Sequence, residues 1–65
     1  SVTQLRKLRM EHGYTQSEMA VMLGISLRTY QRIEYGEQKP NVHAVIRLQK
    51  LYRKNIDELI KERHE

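Results

Sequence analysis

The stretch TQSEMAVMLGISLRTYQRIEYG, residues 15–36, contains two short helical patterns on either side of a glycine. Thr15 is a typical N-cap residue, and the glutamate three residues later completes a capping box. Gly24 is a typical C-cap for this first helix, and Ser26 is a good N-cap for a second helix over residues 27–35. The stretch therefore predicts a helix, a tight turn and another helix in immediate succession.

The second helix has an unusual distribution of charge. Arg28 lies in its first turn, where the helix dipole carries roughly half a positive charge. On a helical wheel of about 100° per residue, Arg28 and Arg32 lie on the face opposite to Tyr30 and Glu34. A first-turn cation forgoes about 0.3–1 kcal/mol of dipole stabilisation, which a bidentate contact to a guanine outside the protein more than returns. The other interpretation is that both arginines are solvated surface residues.

Composition favours one small domain with a polyanionic partner. The 65 residues suffice for a domain that buries about 60% of its unfolded surface. Residues 1–56 hold ten Lys and Arg against four acids, a net charge of +6, which leaves −2 for residues 57–65. Such a basic body favours nucleic acid, although many small proteins are this basic without it. The sequence has no cysteine, which is typical of proteins in a reducing cytoplasm. It has no apolar run that approaches the length of a membrane span, about 20 residues, and no signal-peptide pattern.

Helical patterns continue along the rest of the chain. Its glycines, Pro40 and Asn55 separate five predicted helices, over residues 2–12, 16–23, 27–35, 42–52 and 56–63. We expect an all-α fold, a compact five-helix bundle that forms a single domain over residues 1–65. The fourth helix is apolar around more than half of its circumference and is predicted to be the most buried.

No pattern typical of an enzyme is present. The three histidines lack the spacing of metal ligands, and we find no nucleophile–base pair, phosphate-binding loop or acid–base dyad. We therefore predict a protein that is not an enzyme, with no catalytic residues, no metal and no cofactor.

The sequence LRKLRMEHGYTQSEMAVMLGIS, followed by YQRIEYG and Pro40, resembles the Cro- and phage-repressor-like (XRE-type) helix-turn-helix family. The resemblance covers residues 2–60 and includes the IDELI of the fifth helix. It implies a lambda-repressor-like bundle in which helix 2 lies across the DNA backbone and helix 3 enters the major groove. Arg53 and Lys54 depart from the family pattern, which usually has a glycine and an apolar residue there. A left-handed C-cap is then less comfortable, so helix 4 is expected to run longer or helix 5 to pack differently.

The resemblance also implies roles for particular residues. Gln16 matches a family glutamine that clamps the DNA backbone and helps to orient a side chain of helix 3. Arg9 and Glu34 match residues that form a partly buried ion pair between helices 1 and 3, and the alternative is two unrelated, half-exposed charges. Leu27 matches a base-reading position, where it would contact a thymine methyl group unless it packs at the rim of the core.

The predicted contacts fall into three groups. Base contacts are predicted for Leu27, Arg28 and Arg32. Side chains suited to phosphate oxygens are predicted to contact the DNA backbone, and these are Gln16, Ser26, Thr29, Gln31, Tyr35, Lys39 and Asn41. The alternative for Tyr35 is packing over the end of helix 3. Dimer contacts are predicted for the apolar residues of the fifth helix, Ile56, Leu59 and Ile60.

Together these features predict a sequence-specific DNA-binding regulator that is cytoplasmic and encoded by a bacterium or phage. As a repressor it would bind a (pseudo)palindromic operator as a homodimer, with recognition helices about 34–36 Å apart. The alternative is the antitoxin of a toxin–antitoxin pair, which binds a toxin protein and represses its own operon. A third possibility, a fold used for protein or RNA contact, is disfavoured by the cationic face of Arg28 and Arg32.

Overall fold

Five helices and two very short strands make up the computed structural model, which describes residues 2–63. In chain order the elements are β1 (Val2–Thr3), α1 (Gln4–His12), α2 (Gln16–Leu23), α3 (Leu27–Glu34), α4 (Val42–Tyr52), α5 (Ile56–Leu59) and β2 (Glu62–Arg63). The helices surround one core, which confirms the predicted all-α, five-helix fold.

Polar side chains start four of the five helices. Thr15 forms a complete capping box with Glu18, and Ser26 accepts a hydrogen bond from the Thr29 amide. Asn41 caps α4 and Asn55 caps α5, each through its side-chain oxygen. These caps satisfy amides that a helix leaves without partners in its first turn, so the boundaries of α2, α3, α4 and α5 are encoded locally.

The two ends of the described chain differ from the prediction. Helix 1 was expected from residue 2 but begins at Gln4, and helix 5 was expected to reach residue 63 but ends at Leu59. The reason is that β1 and β2 pair as antiparallel strands, and the Gln4 amide donates to the Lys61 carbonyl at 3.0 Å. Segments of two residues are too short to show the alternation by which a strand is recognised in sequence.

All five helices contribute apolar side chains to the core. Its buried members are Leu5, Met19, Ala20, Leu23, Tyr30, Ile33, Ala44, Leu48, Tyr52 and Leu59. The prediction that helix 4 is the most buried is wrong, because Val42 is 71% exposed and Ile46 is 44% exposed. The buried residues of α4 form a stripe of Ala44, Leu48 and Tyr52, spaced four residues apart, and Leu51 packs against the core beside it.

A non-glycine residue terminates α4. Arg53 adopts the left-handed conformation with φ 54° and ψ 44°, and among residues 2–63 it is the one non-glycine residue with positive φ. The left-handed region costs an ordinary L-residue about 1–2 kcal/mol relative to its favoured conformations. Helix 4 therefore ends where a family glycine would end it, although the residue there is an arginine.

We predict that Arg53→Gly raises the thermal stability of the protein. Glycine adopts this backbone conformation without a Cβ clash, so the free energy of unfolding is expected to rise by about 1 kcal/mol, which is a Tm increase of about 4–8 °C for a domain of this size. A thermal melt by circular dichroism measures the change.

Lys54→Gly is the matched control, because it removes the same charge at a position whose φ is not positive. It is expected to leave Tm unchanged or lower it, since glycine adds entropy to the unfolded chain. Equal shifts in the two variants would contradict the assignment of strain to Arg53.

Candidate nucleic-acid interface

The turn between α2 and α3 fixes the angle at which the two helices meet. Gly24 takes the left-handed conformation at φ 68°, and the Ile25 amide donates to the Ala20 carbonyl at 3.0 Å. Ile25 then packs against the core, and Ser26 starts α3. From α4, Arg47 Nη1 donates to the Met22 carbonyl at 3.1 Å and so ties down the end of α2. The sequence had given no indication of a role for Arg47.

Helix α3 has one buried and one exposed face. Tyr30, Ile33 and Glu34 are at most 1% exposed, whereas Arg28 and Arg32 are both exposed. An open groove runs along this outer face, and the side chains that line it are those of Arg28, Gln31, Arg32, Tyr35 and Glu37. The structure therefore brings two of the three predicted base-contacting residues to one surface that a polyanion can reach.

The remaining predicted contacts of α3 differ in exposure. Leu27 is 42% exposed and Tyr35 is 47% exposed, so neither is enclosed by the core or by the end of the helix. The side chains of Ser26 and Thr29 form a hydrogen bond, in which Ser26 Oγ donates to Thr29 Oγ1 at 2.9 Å. That bond uses the Ser26 hydroxyl hydrogen and leaves the Thr29 hydroxyl hydrogen as the donor that an anion would meet.

The segment before α4 contributes two exposed polar residues. Lys39 is exposed, as is Asn41. The Asn41 side-chain oxygen is occupied, because it accepts from the Ala44 amide at 2.8 Å as the N-cap of α4. Only the NH₂ group of Asn41 is then available to a phosphate oxygen.

The carboxylate of Glu34 lies on the inner face of α3, behind the exposed arginines, and is fully buried. Arg9 Nε donates to Oε1 at 2.7 Å, and Arg9 Nη2 approaches Oε2 at 3.4 Å. The Tyr30 hydroxyl donates to Oε1 at 2.9 Å and Gln16 Nε2 donates to Oε2 at 2.8 Å. Arg9 also donates from Nη1 to the Tyr14 carbonyl at 2.9 Å, so the pair joins α1 both to α3 and to the segment before α2.

Opposing effects act on the ionisation of Glu34. Burial by itself raises the pKa of this carboxyl group, but the hydrogen bonds from Arg9, Gln16 and Tyr30 and the charge of Arg9 outweigh burial and hold the pKa below its ordinary value of 4.5. The hydrogen bond to Glu34 also raises the pKa of Arg9. Burial, followed by the nearby Glu34 charge, raises the pKa of Tyr30, which keeps its hydroxyl proton for the hydrogen bond. The anion is therefore retained inside the protein because donors surround it.

Gln16 connects this buried group to the surface of α3. Its Oε1 atom accepts a hydrogen bond from Gln31 Nε2 at 3.1 Å, while its own Nε2 bonds Glu34. Both glutamines are half-buried. The resemblance implies that Gln16 orients a side chain of helix 3, and Gln31 is the side chain of α3 that it contacts in the structure. Tyr30 was not predicted as a donor to Glu34, although the spacing of four residues on one helix could have indicated it.

The fifth helix offers less apolar surface than the sequence suggested. Leu59 is completely buried among residues of its own chain, so its predicted role in a dimer contact is wrong. Ile56 and Ile60 are half-buried, and Ile56 also packs against the core. The helix has only four residues, and its apolar side chains are needed to close the bundle.

Within residues 2–63, no three His, Cys, Asp or Glu side chains are close enough together to hold a metal ion. None of the helices in this part of the chain is long and apolar enough to cross a membrane.

The helix-turn-helix class of DNA-binding domain is defined by two helices joined by a tight turn, the second of which has an exposed cationic face. The sequence matches the helix-turn-helix family over residues 5–59. The chain therefore belongs to the XRE-type helix-turn-helix family that its motifs resemble.

Several relatives are named for transcriptional regulation. The chain is 41% identical over 49 residues to a Pyrococcus furiosus protein whose name includes "HTH-type transcriptional regulatory protein", covering 75% of this chain and 16% of that protein. It is 33% identical over 61 residues to the SPbeta prophage-derived uncharacterized HTH-type transcriptional regulator YonR of Bacillus subtilis. That match covers 94% of this chain and 56% of YonR. It is 35% identical over 60 residues to the cryptic phage CTXphi transcriptional repressor RstR of Vibrio cholerae. That match covers 92% of this chain and 54% of RstR.

The matched region is thus a part of each of these relatives, about a sixth of the archaeal protein and a little over half of the two prophage-type proteins. No solved structure matches the chain.

We predict that Glu34→Ala destabilises the fold by an amount that depends on pH. At neutral pH the variant leaves Arg9 without its buried partner, which is expected to cost about 3–5 kcal/mol. Because the folded protein lowers the pKa of Glu34, this contribution is present above the ordinary pKa of 4.5 and is lost as pH falls through the lower folded value. The Tm difference between wild type and variant should therefore narrow from about pH 6 to about pH 3.

Glu37→Ala, which removes an exposed glutamate three residues further along, is the control. It is expected to change stability by no more than about 0.5 kcal/mol. A constant Tm difference for Glu34→Ala across the pH range would contradict the role of the charge.

Proposed function

We propose that this chain binds double-stranded DNA in a sequence-specific way and acts as a transcriptional repressor. The observation that carries the proposal is the exposed face of α3 with Arg28 and Arg32, in a helix whose other face is fixed by buried Tyr30, Ile33 and Glu34. An arginine at the start of a recognition helix can read guanine through two hydrogen bonds. Arg28, Arg32 and Leu27 are the proposed base contacts.

The proposed backbone contacts come from α2, α3 and the segment before α4. Gln16, Ser26, Thr29, Gln31 and Tyr35 belong to the two helices and their caps, and Lys39 and Asn41 precede α4. Each has a hydroxyl, amide or ammonium group suited to phosphate oxygens, which accept hydrogen bonds only, and Ser26 would exchange its bond to Thr29 for the phosphate contact. These contacts position the domain and carry no sequence information by themselves.

The repressor role rests on relatives. RstR is named as a transcriptional repressor, and this chain covers 54% of it. A domain that occupies a promoter can block transcription without enzymatic activity, in agreement with the absence of catalytic patterns from the sequence. The antitoxin alternative stays a prediction, since no feature of the described residues points to a toxin partner.

We further propose that the chain binds DNA as a homodimer on a (pseudo)palindromic site. With Leu59 buried, the apolar surface left near this end comes from Ile56 and Ile60. Selection from random DNA is the test, because it reports the site, its symmetry and its half-site spacing together. Two inverted half-sites about one helical turn apart support the dimer, and sites without two-fold symmetry contradict it.

We predict that Arg28→Ala weakens binding to the selected site by about 1–3 kcal/mol and relaxes the preference at one base pair in each half-site. The loss on random DNA should be much smaller, since only a generic charge is removed. Stability should hold or rise slightly, because a cation leaves the positive end of a helix dipole. Fluorescence anisotropy on the two DNAs and one thermal melt provide the measurements.

Lys50→Ala is the matched control, because Lys50 is an exposed cation that lines a different groove with Met22, Arg47 and Leu51. It should affect both DNAs slightly and equally. Equal losses on both DNAs for Arg28→Ala would make Arg28 a phosphate contact instead of a base contact.

Salt dependence provides a separate prediction about the backbone contacts. The logarithm of the binding constant should fall linearly with the logarithm of salt concentration, with a slope of about 0.9 for each phosphate neutralised. Titrations at several salt concentrations measure the slope. Binding that does not change between low and physiological salt would exclude DNA as the main partner.

A further inference from the structure

The hydrogen bonds of Gln16 give its side-chain amide one orientation. A glutamine amide has two alternatives that differ only in the exchange of its oxygen and its NH₂ group. A carboxylate only accepts hydrogen bonds, so Glu34 requires that the NH₂ group of Gln16 faces the core, as the Nε2–Oε2 distance of 2.8 Å shows. The oxygen of Gln16 is then left for a donor on its other side.

The orientation selected at Gln16 determines the orientation of Gln31. Because the exposed side of the Gln16 amide presents its oxygen, the Gln31 amide offers Nε2, at 3.1 Å. Each NH₂ group carries two hydrogens and uses one of them within the chain. The second N–H of Gln31, a residue that lines the open groove beside Arg28 and Arg32, therefore remains for a partner outside, and a phosphate oxygen is a partner that only accepts.

We propose that Glu34 is a positioning residue for DNA binding. Its buried carboxylate holds the Gln16 amide with its oxygen towards Gln31, and this oxygen in turn fixes the Gln31 NH₂ group, whose second N–H is proposed to contact the DNA backbone. Glu34 itself is fully buried and touches no DNA. The proposal rests on the proposed backbone contact of Gln31, and it gives Glu34 a second role beside joining α3 to α1 through Arg9.

The first experiment needs no DNA. Side-chain amide signals of Gln16 in the wild-type protein, measured by NMR, should be displaced and exchange slowly with water, whereas those of exposed Gln38 should resemble a free glutamine. In Glu34→Gln the Gln16 signals should shift and exchange faster while the backbone signals of the core persist. Wild-type Gln16 signals that already match those of Gln38 would overturn the proposal, even if the variant does not fold.

The second experiment measures DNA affinity for Glu34→Gln at a temperature where it is folded. The new side-chain oxygen is expected to bond the charged Arg9, which turns the new NH₂ group towards Gln16 and reverses the orientation of both glutamines. Reversal moves the Gln31 NH₂ group away from the position it has in the wild type and puts its oxygen there, which repels a phosphate. Binding should therefore weaken by about tenfold on the selected site and on random DNA alike, because phosphate contacts are independent of sequence. A loss confined to the selected site would overturn the proposal.

Two variants separate positioning from stability. Arg9→Lys weakens the ion pair but keeps the carboxylate, so it should lower Tm and leave DNA affinity unchanged. Gln16→Ala removes the side chain through which Glu34 is proposed to act on DNA binding. Adding Glu34→Gln to this variant should therefore cause no further loss of DNA affinity. Losses that add in the double variant would overturn the proposal.

Failure of this proposal is distinguishable from failure of the proposed function. A wild-type protein that binds no DNA at any salt concentration removes the proposed function, and the positioning role with it. A wild-type protein that binds DNA, but whose affinity and Gln16 signals are unaffected by Glu34→Gln, removes the positioning role alone.

Discussion

The arrangement of the first three helices depends on the need to surround one buried anion with donors. The carboxylate of Glu34 is completely inaccessible to water, and an unpartnered charge in that position would be prohibitively costly. Its donors come from three helices, with Arg9 on α1, Gln16 on α2 and Tyr30 on α3. The hydroxyl of Thr3, in β1, donates to the Glu34 carbonyl at 2.8 Å. Four elements therefore meet at a single residue of α3.

This constraint also determines which side of α3 faces outward. Tyr30, Ile33 and Glu34 can all be buried only if the opposite side, with Arg28 and Arg32, is exposed. The proposed base contact accounts for the cation in the first turn, because the dipole stabilisation lost at Arg28 is smaller than the gain that one bidentate contact would give. The same buried glutamate that holds the fold is linked through Gln16 to Gln31 at the edge of that exposed face. The residues that stabilise the fold and the proposed DNA contacts thus belong to one hydrogen-bond network.

The local features of the helix-turn-helix were predictable from sequence because each depends on neighbouring residues. The caps at Thr15 and Ser26 act within three residues, and Gly24 adopts its left-handed conformation where the turn requires it. The cationic face of α3 follows from helical periodicity alone. Periodicity failed for α4, whose apolar circumference includes the exposed Val42, because it does not show how much of an apolar helix its neighbours cover.

The sequence by itself therefore determined the helices, their caps, the tight turn and the charge of α3, since all of these arise from contacts between residues a few positions apart. Only the tertiary structure decided what depends on distant partners. The two-residue strands β1 and β2 exist because the ends of residues 2–63 meet, and Leu59 became a core residue because α5 closes the bundle. The orientation of the Gln16 amide likewise depends on Glu34, 18 positions along the chain. Hydrogen bonds and burial of this kind are fixed by packing in three dimensions, which no local pattern specifies.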